Sequence, residues 1–385
     1  MLDRSLTLTD LTLFGVASIV GSGGFNLVGK TVRAGGSWWP VGFLISAVLL
    51  LGAAYAYSEA FAFSGKNTAE SDMVAATFGP VGEGLSILAI LLFSIVSIST
   101  ILVFCAQLLL PDGSWISQVG VALAVLGSMA GFSLAGIELN KMTINAIAYV
   151  LVAVLVGTAS LGLYGLAAAP PARPLGEGTS FTTSLLMMFF ILAGFDANMK
   201  FSEEAADPAD IPHSFYTSNI ISLLLVAGVA LAIQLWIPTL SASKESNALG
   251  NLFAVFVGPW VLEPTKYLMI AFMITTTFIV FLSQTRYLFG LGTKFPAFSS
   301  LTEVNGSAVP YNAVILVTLI AGLTLLINHT ETLVRLADIG IIGLLGLVAS
   351  SAAVIDWRDG SLVSSLVNGA TAAGFAGMMG VCCMA

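Results

Sequence analysis

Long apolar segments, separated by short polar stretches, make up most of this chain. A bilayer-spanning helix needs about 20 mainly apolar residues, and eleven segments reach or approach that length. Their approximate bounds are 8–33, 40–64, 81–110, 115–137, 142–168, 181–201, 214–238, 260–291, 308–328, 333–355 and 361–384. The pattern predicts an all-α integral membrane protein with about eleven transmembrane helices.

Two of these segments are interrupted by glycine at corresponding places in the two halves of the chain. The first contains Gly21-Ser22-Gly23-Gly24-Phe25, and the sixth contains Ala193-Gly194-Phe195-Asp196. A break frees backbone N–H and C=O groups that water cannot reach in a bilayer, so it is tolerated where it lines a protein cavity. A matched pair of breaks therefore indicates a transporter's substrate site. The alternative for the first break is a patch of small residues for helix packing.

The spacing of the two breaks predicts an internal repeat. The breaks lie in segments one and six, as expected for two five-helix repeats, and an odd number of spans inverts the second repeat relative to the first. We predict a first repeat at 1–168, an inverted second repeat at 175–356 and an additional C-terminal transmembrane helix at 357–385. That last helix is rich in Gly, Ala and Met, which suits close helix packing.

Composition supports the membrane assignment and excludes other classes. The chain is 57% hydrophobic and 9% charged, whereas a soluble domain has about 25% charged residues. Its net charge of −8 argues against a nucleic-acid partner. Basic residues divide almost evenly between the two sides of the bilayer, so the positive-inside rule does not decide the orientation. We expect a cytoplasmic N-terminus.

The pattern gives no support to catalytic or metal chemistry. Cys105, Cys382 and Cys383 show neither a disulfide framework nor metal-ligand spacing, and two isolated histidines do not make a metal site. The glycine-rich break lacks the strand–turn–helix context of a phosphate loop. We expect no cofactor and no enzymatic activity. The expected partners are a small-molecule substrate and the lipid bilayer.

Asp196 is an ionisable residue at the end of an apolar run. Such residues in membrane segments usually face a pathway or a charged partner. It could attract a substrate ammonium group or take up and release a coupling proton. The alternative is that the helix ends at Gly194 and that Asp196 is solvated.

The ordered motifs of this chain resemble those of the amino acid–polyamine–organocation permeases. The first break resembles the GSGIF-type break of that family's first helix. The second break resembles the family's sixth-helix signature, and Glu203-Glu204 with Ile211-Pro212 resembles the loop that follows it. The stretch from Gln284 through Pro296 and Val309-Pro310-Tyr311 resembles the region after the eighth helix. The resemblance implies a LeuT-like fold with broken helices one and six.

The resemblance also implies a substrate site between helices one, three, six, eight and ten. The positions that match substrate-binding positions are Ile19, Ser22, Gly23, Gly24, Phe190, Ala193, Gly194, Asp196 and Phe278. The group from Ser22 to Gly24 would hold a carboxylate, and carbonyls near Ile19 and the sixth-helix break would receive an amino group. Phe190 and Asp196 match positions for gating or proton coupling.

Ion coupling is left open at this point. Sodium-coupled relatives of the fold place hydroxyls in the eighth helix, where this chain has Thr276 and Thr277. Hydroxyl oxygens suit a hard cation, but threonines also bond their own i−4 carbonyls, and we favour that alternative. The fifth-helix lysine of some proton-coupled members is absent between Lys141 and Arg173.

The resemblance implies a secondary active transporter that moves amino acids by alternating access. Coupling to H⁺, coupling to Na⁺ and exchange all remain open. The alternatives are a polyamine or organocation transporter and a receptor-like relative that binds substrate without moving it.

Overall fold

The computed structural model describes residues 4–168, 178, 180–236, 247–327 and 329–384. Within these ranges the side chains of 22–26, 138–139, 165–166, 168, 331 and 384 lie outside the description. The described chain is built almost entirely from α-helices. In chain order they are α1 (Leu8–Gly35), α2 (Trp39–Ser64), α3 (Ala69–Leu109), α4 (Trp115–Ser133), α5 (Ile137–Ala168), α6 (Phe181–Leu192), α7 (Ala197–Lys200), α8 (Asp210–Trp236), α9 (Ala248–Val257), α10 (Leu262–Lys294), α11 (Tyr311–Thr324), α12 (Thr330–Arg358) and α13 (Leu362–Met384).

Every predicted apolar segment contains helix, which confirms the all-α membrane fold. By length and hydropathy, nine segments of the described chain can each cross a membrane, and three shorter apolar helices accompany them. One of the shorter helices, α9, was not predicted, because ten residues are too few to span a bilayer. It lies between the seventh and eighth predicted segments.

The helix α3 is bent near its start. Gly79 has φ +69°, a left-handed conformation that favours glycine, and Pro80 follows it. A residue before proline avoids the helical region, so the chain turns here. The result is a short helical arm before the membrane span, which begins close to the predicted residue 81. The arm carries Glu70 into the protein interior, where it is fully buried.

The sixth segment is broken where the sequence predicts. The helix α6 ends at Leu192, and α7 begins only at Ala197. Gly194 has φ +136°, and a Cβ atom at this position would lie 3.0 Å from the carbonyl oxygen of Ser18 in α1. Glycine therefore permits both the turn of the backbone and its close approach to α1.

The first segment differs from its prediction, because α1 is one helix from Leu8 to Gly35. Glycine weakens a helix but does not forbid helical backbone angles. The structure gives Gly21 a packing role, since a Cβ atom there would lie 1.8 Å from Oγ1 of Thr276. At Gly21, the small residue allows α1 and α10 to approach closely, which is the alternative interpretation of this stretch.

The helix α1 lies at the centre of the bundle. It packs against α8, α6, α10 and α5. On the far side, α12 packs along α3, and α13 covers α12 and α2. The order of helices is compatible with repeats at 1–168 and 175–356 and an added helix at 357–385, but this division stays a prediction.

Candidate functional site

A small central cavity lies where the α6–α7 break meets α1, α3 and α10. Its volume is about 20 Å³, which is room for roughly one water molecule. The helix α3 contributes two serines and two apolar side chains, and α10 contributes polar and apolar groups. The lining residues are Ser18, Phe93, Ser94, Ser97, Ile101, Phe190, Ala193, Gly194, Asp196, Ala197, Thr276, Val280 and Ser283.

The polar groups of the cavity are not all satisfied. The hydroxyls of Ser18 and Ser97 are buried and have no hydrogen-bond partner among the described residues. Buried polar groups are rarely left unpaired, so such hydroxyls mark a place for a polar ligand or water. The helix α6 also ends here, and a helix C-terminus carries partial negative charge that attracts a cation. The remaining wall is apolar.

The structure brings five of the predicted site residues to this cavity. They are Phe190, Ala193, Gly194, Asp196 and Thr276. Ile19 is fully buried but is not among the residues that line the cavity. The predicted contacts of Ser22, Gly23 and Gly24 with substrate lie outside the described residues.

Phe278 lies elsewhere. Its ring is 5.6 Å from that of Phe132, and both line a separate, mainly apolar cavity between α4, α5 and α10. The structure therefore does not bring Phe278 to the central cavity.

The threonines of α10 bond to main-chain carbonyls. Thr277 donates to the carbonyl of Met273, four residues earlier, at 2.8 Å. Thr276 donates to the carbonyl of Ala17 in α1 at 2.6 Å, and its Oγ1 also lies 3.2 Å from the carbonyl oxygen of Phe272. Thr276 is thus the only one of the two predicted sodium-site residues whose described hydrogen bonds reach α1.

Asp196 belongs to a buried charged cluster rather than to a solvated helix end. It is 3% exposed, and Nζ of Lys200 donates to its Oδ2 at 3.1 Å. The same Nζ lies 2.6 Å from Oε1 of Glu70, and the Lys200 and Glu70 side chains are 0% exposed. Oε2 of Glu70 has no hydrogen-bond partner in the described structure. One cation thus joins a carboxyl on the cavity wall to a carboxyl on the arm of α3.

Aromatic residues enclose this cluster. The rings of Tyr57 and Tyr287 lie 5.8 and 6.0 Å from Nζ of Lys200, which is cation–π distance. Both tyrosines are fully buried. The hydroxyl of Tyr287 is 2.7 Å from Oγ of Ser71, next to Glu70. The charges therefore interact in a medium of low dielectric constant, where each ion strongly affects its neighbours.

A second buried ion pair lies on the side of the bundle where the chain begins. Arg286 of α10 donates from Nε and Nη2 to the carboxylate of Glu204, at 3.0 to 3.3 Å. The carbonyl of Glu204 accepts from the N–H groups of Ser5 and Leu6, each at 3.0 Å. The pair thereby ties α10, the loop after α7 and the start of α1 together.

Glu204 lies in the loop after α7, yet it is only 1% exposed. Its neighbour Glu203 is half-buried in the same loop. Burial raises the pKa of Glu203 above its ordinary value, and the adjacent Glu204 charge adds to this effect. Arg4 and Lys66 act in the opposite direction.

Several known proteins that are similar to this chain are transporters. No family model matches the sequence. The branched-chain amino acid permease BcaP of Bacillus subtilis is 23% identical over 92% of this chain and 81% of its own length. Uncharacterized transporters of Mycobacterium tuberculosis and Mycobacterium bovis are 28% identical over 60% of this chain and 53% of their own length.

A solved structure shows a similar fold. It is that of Mhp1, a nucleobase-cation-symport-1 family transporter, in a closed conformation with bromovinylhydantoin bound. The TM-score is 0.55 at 13% identity, and the match covers 99% of this chain and 92% of Mhp1. Mhp1 has a LeuT-like fold.

The chain is a membrane transporter with a LeuT-like fold. The predicted resemblance to amino acid–polyamine–organocation permeases is confirmed by these relatives. The transporter is a multi-pass integral membrane protein, while the orientation of its N-terminus stays a prediction.

Two residues of the transporter's charged cluster were missed from the sequence. Glu70 stands in Ala69-Glu70-Ser71-Asp72, which has the composition of a solvated first helical turn. Lys200 stands at the end of the predicted sixth segment, where a basic residue at the membrane edge is ordinary. The only available signal was a lysine four residues after Asp196, a spacing that allows an ion pair on one helix face.

Proposed function

We propose that the transporter carries neutral, apolar amino acids through the central cavity by alternating access. The observation that carries the proposal is the lining of that cavity. It combines unpaired hydroxyls and a helix C-terminus with an apolar wall of Phe93, Ile101, Phe190 and Val280. The relative BcaP is a branched-chain amino acid permease, which supports the same substrate class.

The substrate's charged groups would be held at the two helix segments of the predicted breaks. Its ammonium group would lie at the C-terminal end of α6, near the carbonyls of Ala193 and Gly194, where the helix dipole favours a cation. The resemblance implies that its carboxylate meets main-chain amides of α1 around Ser22 to Gly24, but α1 is a continuous helix here, so these amides become available only if the helix unwinds during the transport cycle. The hydroxyls of Ser18 and Ser97 offer further hydrogen bonds.

An amino acid side chain needs more room than the cavity now provides. Phe190 lies in the wall and is 5% exposed, so a change of its rotamer would enlarge the space. This gives Phe190 the role of a gate between the cavity and one side of the membrane. A rigid-body movement of helices around the cavity would then complete alternating access.

A polyamine substrate is less well supported. Two ammonium groups need carboxylates to hold them, and Asp196 is the only acidic residue of the described lining. That carboxyl already accepts a hydrogen bond from Lys200. The second ammonium group would therefore lie against an apolar wall, at a high cost in desolvation.

We also propose that protons drive the transport through the cluster of Asp196, Lys200 and Glu70. If both carboxyls were ionised, two negative charges and one positive charge would leave a net charge of −1 in a buried site. Burial disfavours an uncompensated charge, so one proton on either carboxyl would neutralise the cluster. Asp196 borders the cavity and Glu70 does not. A proton that moves from one carboxyl to the other would therefore change the charge on the cavity wall, and with it the affinity for the substrate.

Sodium coupling has less support. The hydroxyl of Thr276 and the carbonyl of Ala17 face one another, as a hard-cation site would need, but they are hydrogen-bonded to each other at 2.6 Å. Sodium binding would have to break this bond and separate α1 from α10. The close packing of Gly21 against Thr276 opposes that separation.

Uptake into proteoliposomes tests these proposals. The purified transporter would be supplied with radiolabelled leucine in competition with unlabelled amino acids, leucinamide and putrescine, under imposed pH or Na⁺ gradients. We expect branched-chain amino acids to compete, leucinamide and putrescine to fail, and an inwardly directed proton gradient to drive accumulation. Competition by putrescine without competition by amino acids would contradict the substrate assignment. Accumulation that depends on Na⁺ alone would contradict the proposed coupling.

A further inference from the structure

A polar cluster joins three helices near the membrane face on which the chain begins. It consists of Glu59 in α2, Asp356 in α12 and Asn368 in α13, and none of these residues lines the central cavity. Following the direction of successive spans, α2 ends on this face at Ser64 and α12 ends there at Arg358. Both carboxyls lie close to those helix ends and are half-buried. An ion from the aqueous phase can therefore reach them.

One amide nitrogen is shared by both carboxyls. Nδ2 of Asn368 donates to Oε2 of Glu59 at 2.6 Å and to Oδ2 of Asp356 at 2.9 Å. None of the ion pairs found among the described residues includes either carboxyl. The side chain of Arg358, two residues after Asp356, is exposed. When both carboxyls are ionised, the cluster holds two neighbouring negative charges, and a cation between them would relieve their repulsion.

The oxygen of the same amide points to a ligand. Asn368 is 0% exposed, and its Oδ1 has no hydrogen-bond partner in the described part of the chain. Buried polar atoms are rarely left unpaired. Because Oδ1 and Nδ2 belong to one planar amide, this oxygen lies within a few ångströms of both carboxyls. A cation would be bound by all three groups at once.

Neutral hydrogen bonds hold the three helices in place around the cluster. The hydroxyl of Tyr55 in α2 donates to Oγ of Ser364 in α13 at 2.7 Å. Oγ of Ser365 donates to the carbonyl of Ala353 in α12 at 2.9 Å. Gly360 has φ +79°, and this left-handed turn lets α13 fold back directly on α12. The fold itself thus brings the three side chains together.

We propose that Glu59, Asp356 and Asn368 bind a divalent cation that prefers oxygen ligands, Mg²⁺ or Ca²⁺. Both ions accept carboxylate and amide oxygens and complete their coordination with water. Among the described residues, no group of three or more His, Cys, Asp or Glu side chains is placed to hold a metal ion. The proposed site has two carboxyls, and the amide is its third ligand. The bound ion would fasten α13 to α2 and α12, whatever substrate the transporter carries.

Titration with Mn²⁺ tests the site, because the EPR signal of free Mn²⁺ falls when the ion binds to a protein. The purified transporter in detergent would first be freed of metal with EDTA, which is then removed. Mg²⁺ and Ca²⁺ would next compete with bound Mn²⁺, and the ion that displaces it at the lower concentration is the preferred one. Na⁺ at the same ionic strength controls for screening of charge.

We expect saturable binding of Mn²⁺ to the wild-type chain. Asp356→Asn should weaken this binding about tenfold, which corresponds to about 1.4 kcal/mol, and the double variant Glu59→Gln/Asp356→Asn should abolish it. Asp112→Asn, which changes an exposed loop carboxyl, should leave it unchanged.

The variant Asn368→Asp separates a cation site from a cluster held only by hydrogen bonds. It replaces the amide with a third carboxyl, so we expect it to bind Mn²⁺ more tightly than the wild type. Its thermal unfolding temperature should be low in EDTA and should rise when Mg²⁺ or Ca²⁺ is added. A loss of stability that neither ion restores would overturn the proposal.

Two further results would also overturn it. One is Mn²⁺ binding by Glu59→Gln/Asp356→Asn that is as tight as that of the wild type, because the ion would then lie elsewhere. The other is a wild-type unfolding temperature that responds to pH in EDTA but not to Mg²⁺ or Ca²⁺. That result would show that the two carboxyls share a proton rather than a metal ion.

Discussion

At the scale of single residues, Lys200 is the one cation of the buried cluster that also contains Asp196 and Glu70. Lys200 is the cation for both Asp196 and Glu70, and all three side chains are almost completely buried. A buried ion pair adds little net stability while it is intact, but removal of one partner leaves a charge without compensation. The loss of stability on substitution therefore depends on which of the three residues is changed.

Removing the cation should destabilise the transporter. We expect Lys200→Met to lower the free energy of unfolding by about 3–5 kcal/mol, measured by thermal unfolding in detergent. The double variant Lys200→Met/Glu70→Gln should recover part of the loss, because only one buried carboxyl remains. Lys266→Met removes a partly exposed surface ion pair and should cost about 0–1 kcal/mol. Equal losses in Lys200→Met and Lys266→Met would contradict the assignment of Lys200 to a buried cluster.

Neutralising Glu70 should uncouple transport from the proton gradient. Glu70→Gln leaves Lys200 paired with Asp196, so the cluster remains neutral without a proton. We expect accumulation driven by a pH gradient to be lost, while exchange of labelled for unlabelled leucine stays near the wild-type rate. Glu263→Gln is the control, because Glu263 is mostly exposed. A normal gradient-driven accumulation in Glu70→Gln would place the coupling proton elsewhere.

Gly21 is required for the contact of α1 with α10. An added Cβ atom would lie 1.8 Å from Oγ1 of Thr276, so either the helices separate or the Thr276–Ala17 hydrogen bond is lost. We expect Gly21→Ala to cost about 1–3 kcal/mol, as overpacking does. Gly157→Ala has open space around it and should be neutral or slightly stabilising in the same unfolding measurement. A neutral Gly21→Ala would contradict the close packing described for these helices.

At the scale of elements, the α6–α7 break and the start of α1 act together. Gly194 brings the break against Ser18 of α1, and the main chain of Leu6 pairs with the loop after α7. Arg286 then fixes that loop to α10 through Glu204. Three segments that are far apart in the sequence thereby form one closed face of the bundle.

The Arg286–Glu204 pair should show strong coupling in a double-mutant cycle. Glu204→Ala leaves a fully buried guanidinium group without its carboxylate, at a cost of about 3–5 kcal/mol. Arg286→Met should cost a similar amount, and the double variant should cost clearly less than the sum. Thermal unfolding of the four proteins gives the coupling energy. An additive double variant would show that the pair does not hold this face together.

The elements that sequence predicts well are those that a local pattern determines. The spans follow from length and hydropathy, and the sixth-helix break follows from Gly194 beside Asp196. The helix α9 was missed because an apolar run of its length has no distinctive signal. The pairing of Glu70 with Lys200 joins residues 130 positions apart, and no local pattern reveals it. A local pattern can also be ambiguous. The glycines around Gly21 fit both a helix break and a close helix contact, and the sequence alone does not distinguish the two.

At the scale of the whole molecule, the two membrane faces differ. One face is closed by buried ion pairs and by main-chain hydrogen bonds between α1 and the loop after α7. Towards the other face lies a cavity of about 380 Å³ between the second half of α1, the start of α6 and the start of α12, with the buried Asp338 in its wall. The small central cavity lies between them, at the break of the sixth span. Alternating access would exchange the closed and open faces around that fixed site.

Leucine counterflow in proteoliposomes tests the central claim most directly, because it needs no ion gradient. Liposomes loaded with unlabelled leucine should take up labelled leucine transiently when they contain the transporter. Ser97→Leu fills the central cavity and should abolish this uptake, whereas Ser160→Leu, at an exposed position of α5, should preserve it. Absence of counterflow in the wild-type transporter, or undiminished counterflow in Ser97→Leu, would contradict transport of amino acids through this cavity.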